Sequence, residues 1–285
     1  MPSSDPRRTA RPPVTNAPSP ANETAATTVA GDPNFMTSLA RGLAVLQAFA
    51  RHRGAHTIAD LSRHTDLPRA VVRRCLHTLS LLDYVACDGR LFSLRPTVLS
   101  LGYAYLASDP LPVMAQSFLE RVSAKVDESC SLAVLEGRDI VYVARSATRR
   151  IMSVALGTGS RLPAYCTSMG RVLLASLAAD DLARCLAGVE LVALTERTVV
   201  DRPALLRILG KVREDGYCLV DQELEIGLRS IAVPVRDASG TVVAAMNVSA
   251  QASRFQARDM ERHLLPELRA AAADLSPLLV RQFDR

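Results

Sequence analysis

The stretch from Ile58 to Phe92, IADLSRHTDLPRAVVRRCLHTLSLLDYVACDGRLF, constrains the fold more tightly than any other. Thr57 is placed to cap a helix, Asp60 puts negative charge in its first turn, and Thr65-Asp66 interrupts the pattern. Pro68 suits the first position of a second helix. There Val72, Cys75, Leu76 and Leu79 recur at helical spacing, which predicts one buried face. The opposite face carries Arg69, Ala70, Arg73, Arg74 and His77. Tyr84–Cys87 and Arg90–Phe92 read as short strands about an Asp88-Gly89 turn. Helix, tight turn, arginine-bearing helix and ribbon, in that order, predict a winged helix-turn-helix. Its second helix would enter a DNA major groove, with Arg90 on the wing near a phosphate.

Charge supports this reading. Residues 51–95 hold eight Arg and four Asp with no Lys or Glu, a net +4. The whole chain carries +5, so nearly all the excess sits where phosphates would be met. Only two lysines occur, Lys125 and Lys211, so part of the arginine usage reflects overall composition.

At 285 residues the chain is long enough for two domains, and 48% hydrophobic with 22% charged residues is the composition of a globular protein. Its apolar runs are short and broken by charge, which predicts no membrane span, and no apolar signal segment opens the chain. Six cysteines without a C-x-x-C pair predict neither a disulfide framework nor a zinc site, and fit a reducing cytoplasm.

Residues 1–34, rich in Pro, Ala, Thr and Ser, read as a disordered tail, with Arg7, Arg8 and Arg11 solvated. From Phe35 the pattern changes. Ser38 is placed to cap a helix whose stripe Leu39, Leu43, Leu46 and Ala50 would pack behind the other two. We place the DNA-binding domain at 35–95, a linker helix at 96–112 and a second domain at 113–285. That last part alternates helices with strands that meet as hairpins, such as Ser129–Leu135 with Ile140–Ala144. The fold class is therefore α+β, with a largely antiparallel sheet in the second domain.

The second domain contains no convincing nucleophile–base pair, and Gly157-Thr158-Gly159 lacks the rest of a dinucleotide fingerprint. Neither an enzyme nor a cofactor is expected. Glu223 and Glu225 read as ordinary surface carboxylates. One constellation resembles a binding cavity. Asn247 and Ser249 share a strand face, Ser230 starts an apolar neighbour, and Thr167-Ser168 opens a helix whose free N–H groups favour an anion. Hydroxyls and an amide on apolar walls suit a small organic acid. These side chains could equally satisfy local backbone groups.

Four segments decide between those alternatives: SLARGLAVLQAF (38–49), LPRAVVRRCLHTL (67–79), LPAYCTSMGRVLLA (162–175) and DQELEIGLRSIAVPVRDASGTVVAAMNVS (221–249). With them the chain resembles the IclR family of bacterial transcriptional regulators from Phe35 onward. It is most similar to the branch of PcaR, PcaU and PobR-like regulators of aromatic acid catabolism and the β-ketoadipate route. Asp83 stands where that family commonly has glycine. The resemblance implies a GAF-like effector domain, a homodimer or tetramer joined through the linker helix, double-stranded operator DNA and a small organic acid as partners, and RNA polymerase as a further one. Our expectation for such a regulator is a transcriptional activator. By motif position, Ser168, Met169, Leu228, Ser230, Asn247 and Ser249 would line the effector pocket, with Asp221 close by and Ile151 and Val154 as walls. The alternative is a GAF-type small-molecule sensor whose N-terminal module binds protein, which would show no steep salt dependence towards DNA.

Overall fold

The computed structural model describes residues 32–52, 54–148 and 156–279. Most of the tail, Arg53, Ile151 and Val154 lie outside them. The chain forms two compact units that divide between Pro110 and Leu111.

The first unit contains helices α1 (Thr37–Arg51), α2 (Ile58–Thr65) and α3 (Arg69–Leu81), then a ribbon of β1 (Val85–Asp88) and β2 (Leu91–Leu94). A 3-10 turn, Pro96–Val98, leads into α4 (Leu99–Ser108). The α2 start is a full capping box. The Thr57 hydroxyl accepts from the Asp60 N–H, and the Asp60 carboxylate accepts from the Thr57 N–H. The Thr57 hydroxyl also donates to the Asp60 carboxylate at 2.7 Å, and that bond, followed by the one from the Thr57 N–H, holds the Asp60 pKa down to about 2. Asp66 closes α2 with φ 53°, in the left-handed region. Pro68 is the N-cap of α3, one position before the helical residue that its ring was expected to occupy. The ribbon turns through Gly89-Arg90, with Asp88 facing Leu91. His56 adds a third rung by exchanging backbone hydrogen bonds with Phe92.

Val72, Leu76 and Leu79 are buried as their spacing requires, while Cys75 is half-buried. In α1 the expectation fails. Its core face is Val45, Ala48 and Phe49; Leu39 and Leu43 remain 57% and 47% exposed, and Ala50 is exposed. The helix carries two apolar stripes, and the one chosen from sequence lines a surface groove with Leu82 and Leu101. Nor does Ser38 cap it: Met36 is the N-cap and provides no side-chain bond.

The second unit is a six-stranded antiparallel sheet in the order β5-β4-β3-β8-β7-β6, with helices on both faces. Its strands are β3 (Ser129–Glu136), β4 (Asp139–Ser146), β5 (Arg161–Pro163), β6 (Cys218–Asp221), β7 (Leu228–Arg236) and β8 (Val242–Gln251). Helix α5 (Leu111–Val126) covers one face, with Leu119 and Val122 buried against Leu132, Val233 and Met246. Pro112 lies in the first turn of α5, where a missing N–H costs nothing. The C-terminal helix shares that face. It runs from Ala257–Asp259 through a π-helical turn, Met260–Leu264, into a segment Leu265–Leu275. The other face is covered by α6 (Ser168–Ser176), α7 (Ala179–Leu186) and α8 (Arg202–Asp215). Asp201 caps α8 and Gly216, with φ 70°, ends it. The expected α+β class with an antiparallel sheet is thus observed.

Candidate functional site

Two surfaces matter, one in each unit. On α3 the residues Arg69, Ala70, Arg73, Arg74 and His77 are all exposed, opposite the buried Val72 and Leu76. No salt bridge ties down Arg69, Arg73 or Arg74 among the described residues. Arg74 stands nearest α1 and borders the groove of Leu39 and Leu43, so it sits at the edge of the face. Arg90 is exposed at the ribbon turn. Asp83, with φ 60°, takes the left-handed conformation that glycine adopts without strain, and it pairs with Arg95 at 2.9 Å.

In the second unit a cleft opens between the sheet and the start of α6. The strands contribute Tyr142, Val220, Leu228, Ser230, Asn247 and Ser249. Cys166, Thr167, Ser168 and Met169 close it from the helix side, with Leu156 and Leu224 at its edges. It encloses about 400 Å³ of space unfilled by atoms, counting its mouth. Little of that space is wide enough for a benzoate-sized molecule, so such a ligand needs the cleft to widen.

The helix start is held unusually close. Thr167 caps α6 by accepting from the Gly170 N–H at 3.3 Å. Gly170 lies against the preceding turn so tightly that a Cβ there would fall 2.2 Å from the Ala164 carbonyl oxygen. Beneath it Arg171, 2% exposed, makes a two-pronged ion pair with Glu223, both contacts at 2.6 Å. Arg171 also donates to the Tyr165 carbonyl, and Glu223 accepts from the Val199 N–H. Glu223 is therefore a buried strut that joins α6 to the 222–224 turn, not the surface carboxylate its sequence neighbourhood suggests. Burial raises the pKa of Glu225, the other member of that pair.

Six sequence-predicted pocket residues meet in the cleft: Ser168, Met169, Leu228, Ser230, Asn247 and Ser249. Asp221 does not. It faces away from Val220, as strand alternation demands, and accepts from Arg229 at 2.6 Å and Arg197 at 2.9 Å. Tyr142 and Cys166 escaped sequence reasoning. Burial pushes the pKa of each up to about 12, so the cleft meets a ligand with a neutral phenol and a neutral thiol. The cleft's polar groups are incompletely paired. The Asn247 amide donates to Ser249 Oγ at 3.0 Å, yet Asn247 Oδ1 and Ser168 Oγ are buried without any partner. Such groups cost free energy unless something that enters the cleft bonds to them.

Comparison with known proteins matches residues 38–89 to the IclR helix-turn-helix domain and residues 103–277 to the "Bacterial transcriptional regulator IclR C-terminal" family. The chain belongs to the IclR family. This regulator is 54% identical over 246 residues to the Pca regulon regulatory protein of Pseudomonas putida, covering 86% of this chain and 84% of that one. It is 36% identical to the p-hydroxybenzoate hydroxylase transcriptional activator of Acinetobacter baylyi, covering 86% and 93%. Among solved structures, an IclR homolog of Microbacterium hydrocarbonoxydans complexed with 4-hydroxybenzoate superposes with a TM-score of 0.72 at 27% identity, covering 84% of this chain and 98% of that one. The family assignment makes this chain a DNA-binding transcriptional regulator and not an enzyme. No helix among the described residues is long and apolar enough to cross a membrane.

Proposed function

We propose that this IclR-family regulator works in the cytoplasm as an activator of genes for aromatic acid breakdown and that a small aromatic acid in the α6 cleft controls it. The observation that carries the reading is the pair of buried, unpartnered acceptor and hydroxyl groups, Asn247 Oδ1 and Ser168 Oγ, on largely apolar walls. The pathway is supported by the 54%-identical Pca regulon regulator and the 36%-identical p-hydroxybenzoate hydroxylase activator. Arg69, Arg73, Arg74 and His77 would meet bases or phosphates, flanked by Ala70, and Arg90 would meet a phosphate beside the groove.

The regulator would act as a homodimer or tetramer and contact RNA polymerase when bound to its operator. Support for self-association comes from α4, which buries no residue and exposes Leu99 and Tyr103 at 74% and 71%. The functional divisions would be residues 35–95 for DNA, 96–112 for the linker and 113–285 for the effector. An effector moves this system only if it binds one arrangement better than another.

A thermal-shift panel of protocatechuate, 4-hydroxybenzoate and β-ketoadipate tests the proposal. A ligand that binds only folded protein raises the melting temperature with concentration. At least one acid is expected to do so, and Ser230→Leu is expected to abolish the shift while DNA binding persists. If no acid raises the melting temperature, the reading fails.

A further inference from the structure

Arg145, on β4, is not among the residues that motif position assigns to the effector. In the sheet it faces Ser131, and Ser131 in turn faces Asn247 on β8. Directly opposed residues of an antiparallel pair put their side chains on the same face. Arg145, Ser131 and Asn247 therefore form a row on the sheet face that carries the cleft, with Asn247 at the cleft wall and Arg145 two strands away from it. Tyr142, a lining residue on the same strand, lies within electrostatic reach of the guanidinium.

This guanidinium is poorly compensated. Arg145 Nη1 donates to Ser131 Oγ at 3.0 Å, and that hydroxyl is fully buried. Arg145 Nε is buried with no hydrogen-bond partner. Among the described residues no carboxylate pairs with it, whereas Arg171 and Arg229 each hold one. Arg145 is half-buried, and that burial lowers its pKa from the ordinary guanidinium value, the cost of drawing the charge partly out of water without an anion. A planar fork of donors lacking its counter-ion matches a carboxylate in shape and charge.

We propose that Arg145 is the anion anchor of the cleft and takes the effector's carboxylate, held in position by Ser131. This rests on the acid-binding reading above and goes beyond it by fixing which end of the ligand goes where. Asn247 Oδ1, an acceptor without a donor, is suited to a ligand hydroxyl and not to a carboxylate oxygen. The ligand class is therefore a carboxylic acid with a separate hydroxyl group, which makes 4-hydroxybenzoate the probe.

Isothermal titration of the full-length protein compares 4-hydroxybenzoate with 4-hydroxybenzamide, the same ring without the charge. The wild type is expected to prefer the acid by roughly 30-fold or more, the scale on which truncating a buried charged partner is felt. Arg145→Gln is expected to erase that preference and to leave amide affinity within about threefold of wild type. Arg145→Met keeps the aliphatic stem and is read in the same way should Arg145→Gln not fold. An uncharged variant that retains the wild-type preference, or a wild type that binds acid and amide alike, overturns the anchor while leaving a ligand-binding cleft in place. A wild type that binds neither compound overturns this ligand class and the anchor with it; the cleft reading falls too only when protocatechuate and β-ketoadipate also leave the melting temperature unchanged.

Discussion

The two functional surfaces of this regulator are built on opposite principles. The α3 face is a row of exposed, unrestrained side chains on a single helix, whereas the α6 cleft is assembled from buried groups on four strands and a helix start. Arg73 needs only a supported backbone and a long flexible stem to reach a groove. Ser168 and Asn247 need the sheet, the helix and the strut beneath them to be in place first. The DNA-facing surface should therefore tolerate substitution at little cost in stability, while changes to the struts that hold the cleft together should damage fold and ligand response together.

Glu223→Ala sharpens that contrast most. It strands Arg171 as an unpaired buried cation, and removing one partner of such a pair costs about 3–5 kcal/mol. Denaturant unfolding followed in the second unit should show that loss. A change below about 1 kcal/mol would mean that water or another group compensates Arg171.

Gly170→Ala comes next. The new methyl group would meet backbone atoms of Ala164, which cannot swing aside like a side chain, so overpacking should cost about 1–3 kcal/mol. The acid-induced thermal shift should weaken as well, because the α6 start carries Ser168 and Met169.

Arg73→Ala should reverse the pattern. Thermal stability should stay within about 0.5 kcal/mol, as for an exposed position. Operator affinity, read by gel shift, should fall by about 1–3 kcal/mol if Arg73 reads guanine with two hydrogen bonds. Unchanged operator affinity would remove Arg73 from the interface.

The smallest effect is a pH dependence confined to the head. His52 and His64 stack at 3.6 Å between ring centroids, with His56 edge-on to both. Burial, then neighbouring His56 and Arg51, lowers the pKa of His52. For His64 the causes are burial, then His52, His56 and Arg63, with Asp60 opposing. Rings whose folded pKa is depressed bind protons more readily in the unfolded chain. Their stabilising contribution is therefore complete above the unfolded value of 6.5 and is lost as pH falls below it towards the depressed folded value. Melting of the head should drop modestly on acidification from pH 7 to pH 5, on the order of the single-histidine range, and His64→Gln should flatten that drop. An equal drop in the variant would place the titration elsewhere.

The same contrast explains what could be read from sequence. The head is local: Thr57 and Asp60 are three positions apart, and the Val72, Leu76 and Leu79 stripe lies on one helix. Its largest failure, the Leu39 and Leu43 stripe, arose because α1 carries two apolar faces and periodicity alone does not rank them. In the cleft, strand period placed Asn247 with Ser249, the neighbouring strand and the helix start added Ser230 and Ser168, and motif resemblance added Met169 and Leu228. Glu223 was misjudged because its partner Arg171 lies 52 residues away. Asp221 was misplaced by one step of the pleat, although the inward apolar pair Cys218 and Val220 signals the register. Arg145, a lone cation ending the apolar run IVYVA, was the unused clue to the proposed anion anchor.

The central claim is that an acid enclosed in the second unit governs the grip of arginines in the first. It is tested most directly by titrating the full-length protein onto a duplex from its own promoter region at increasing salt, with and without 4-hydroxybenzoate. Affinity is predicted to fall steeply and linearly on a log–log plot against salt, as phosphate neutralisation requires. The acid should shift the affinity or the footprint at every salt concentration. A flat salt response, or DNA binding wholly indifferent to an acid that the protein demonstrably binds, would contradict the account.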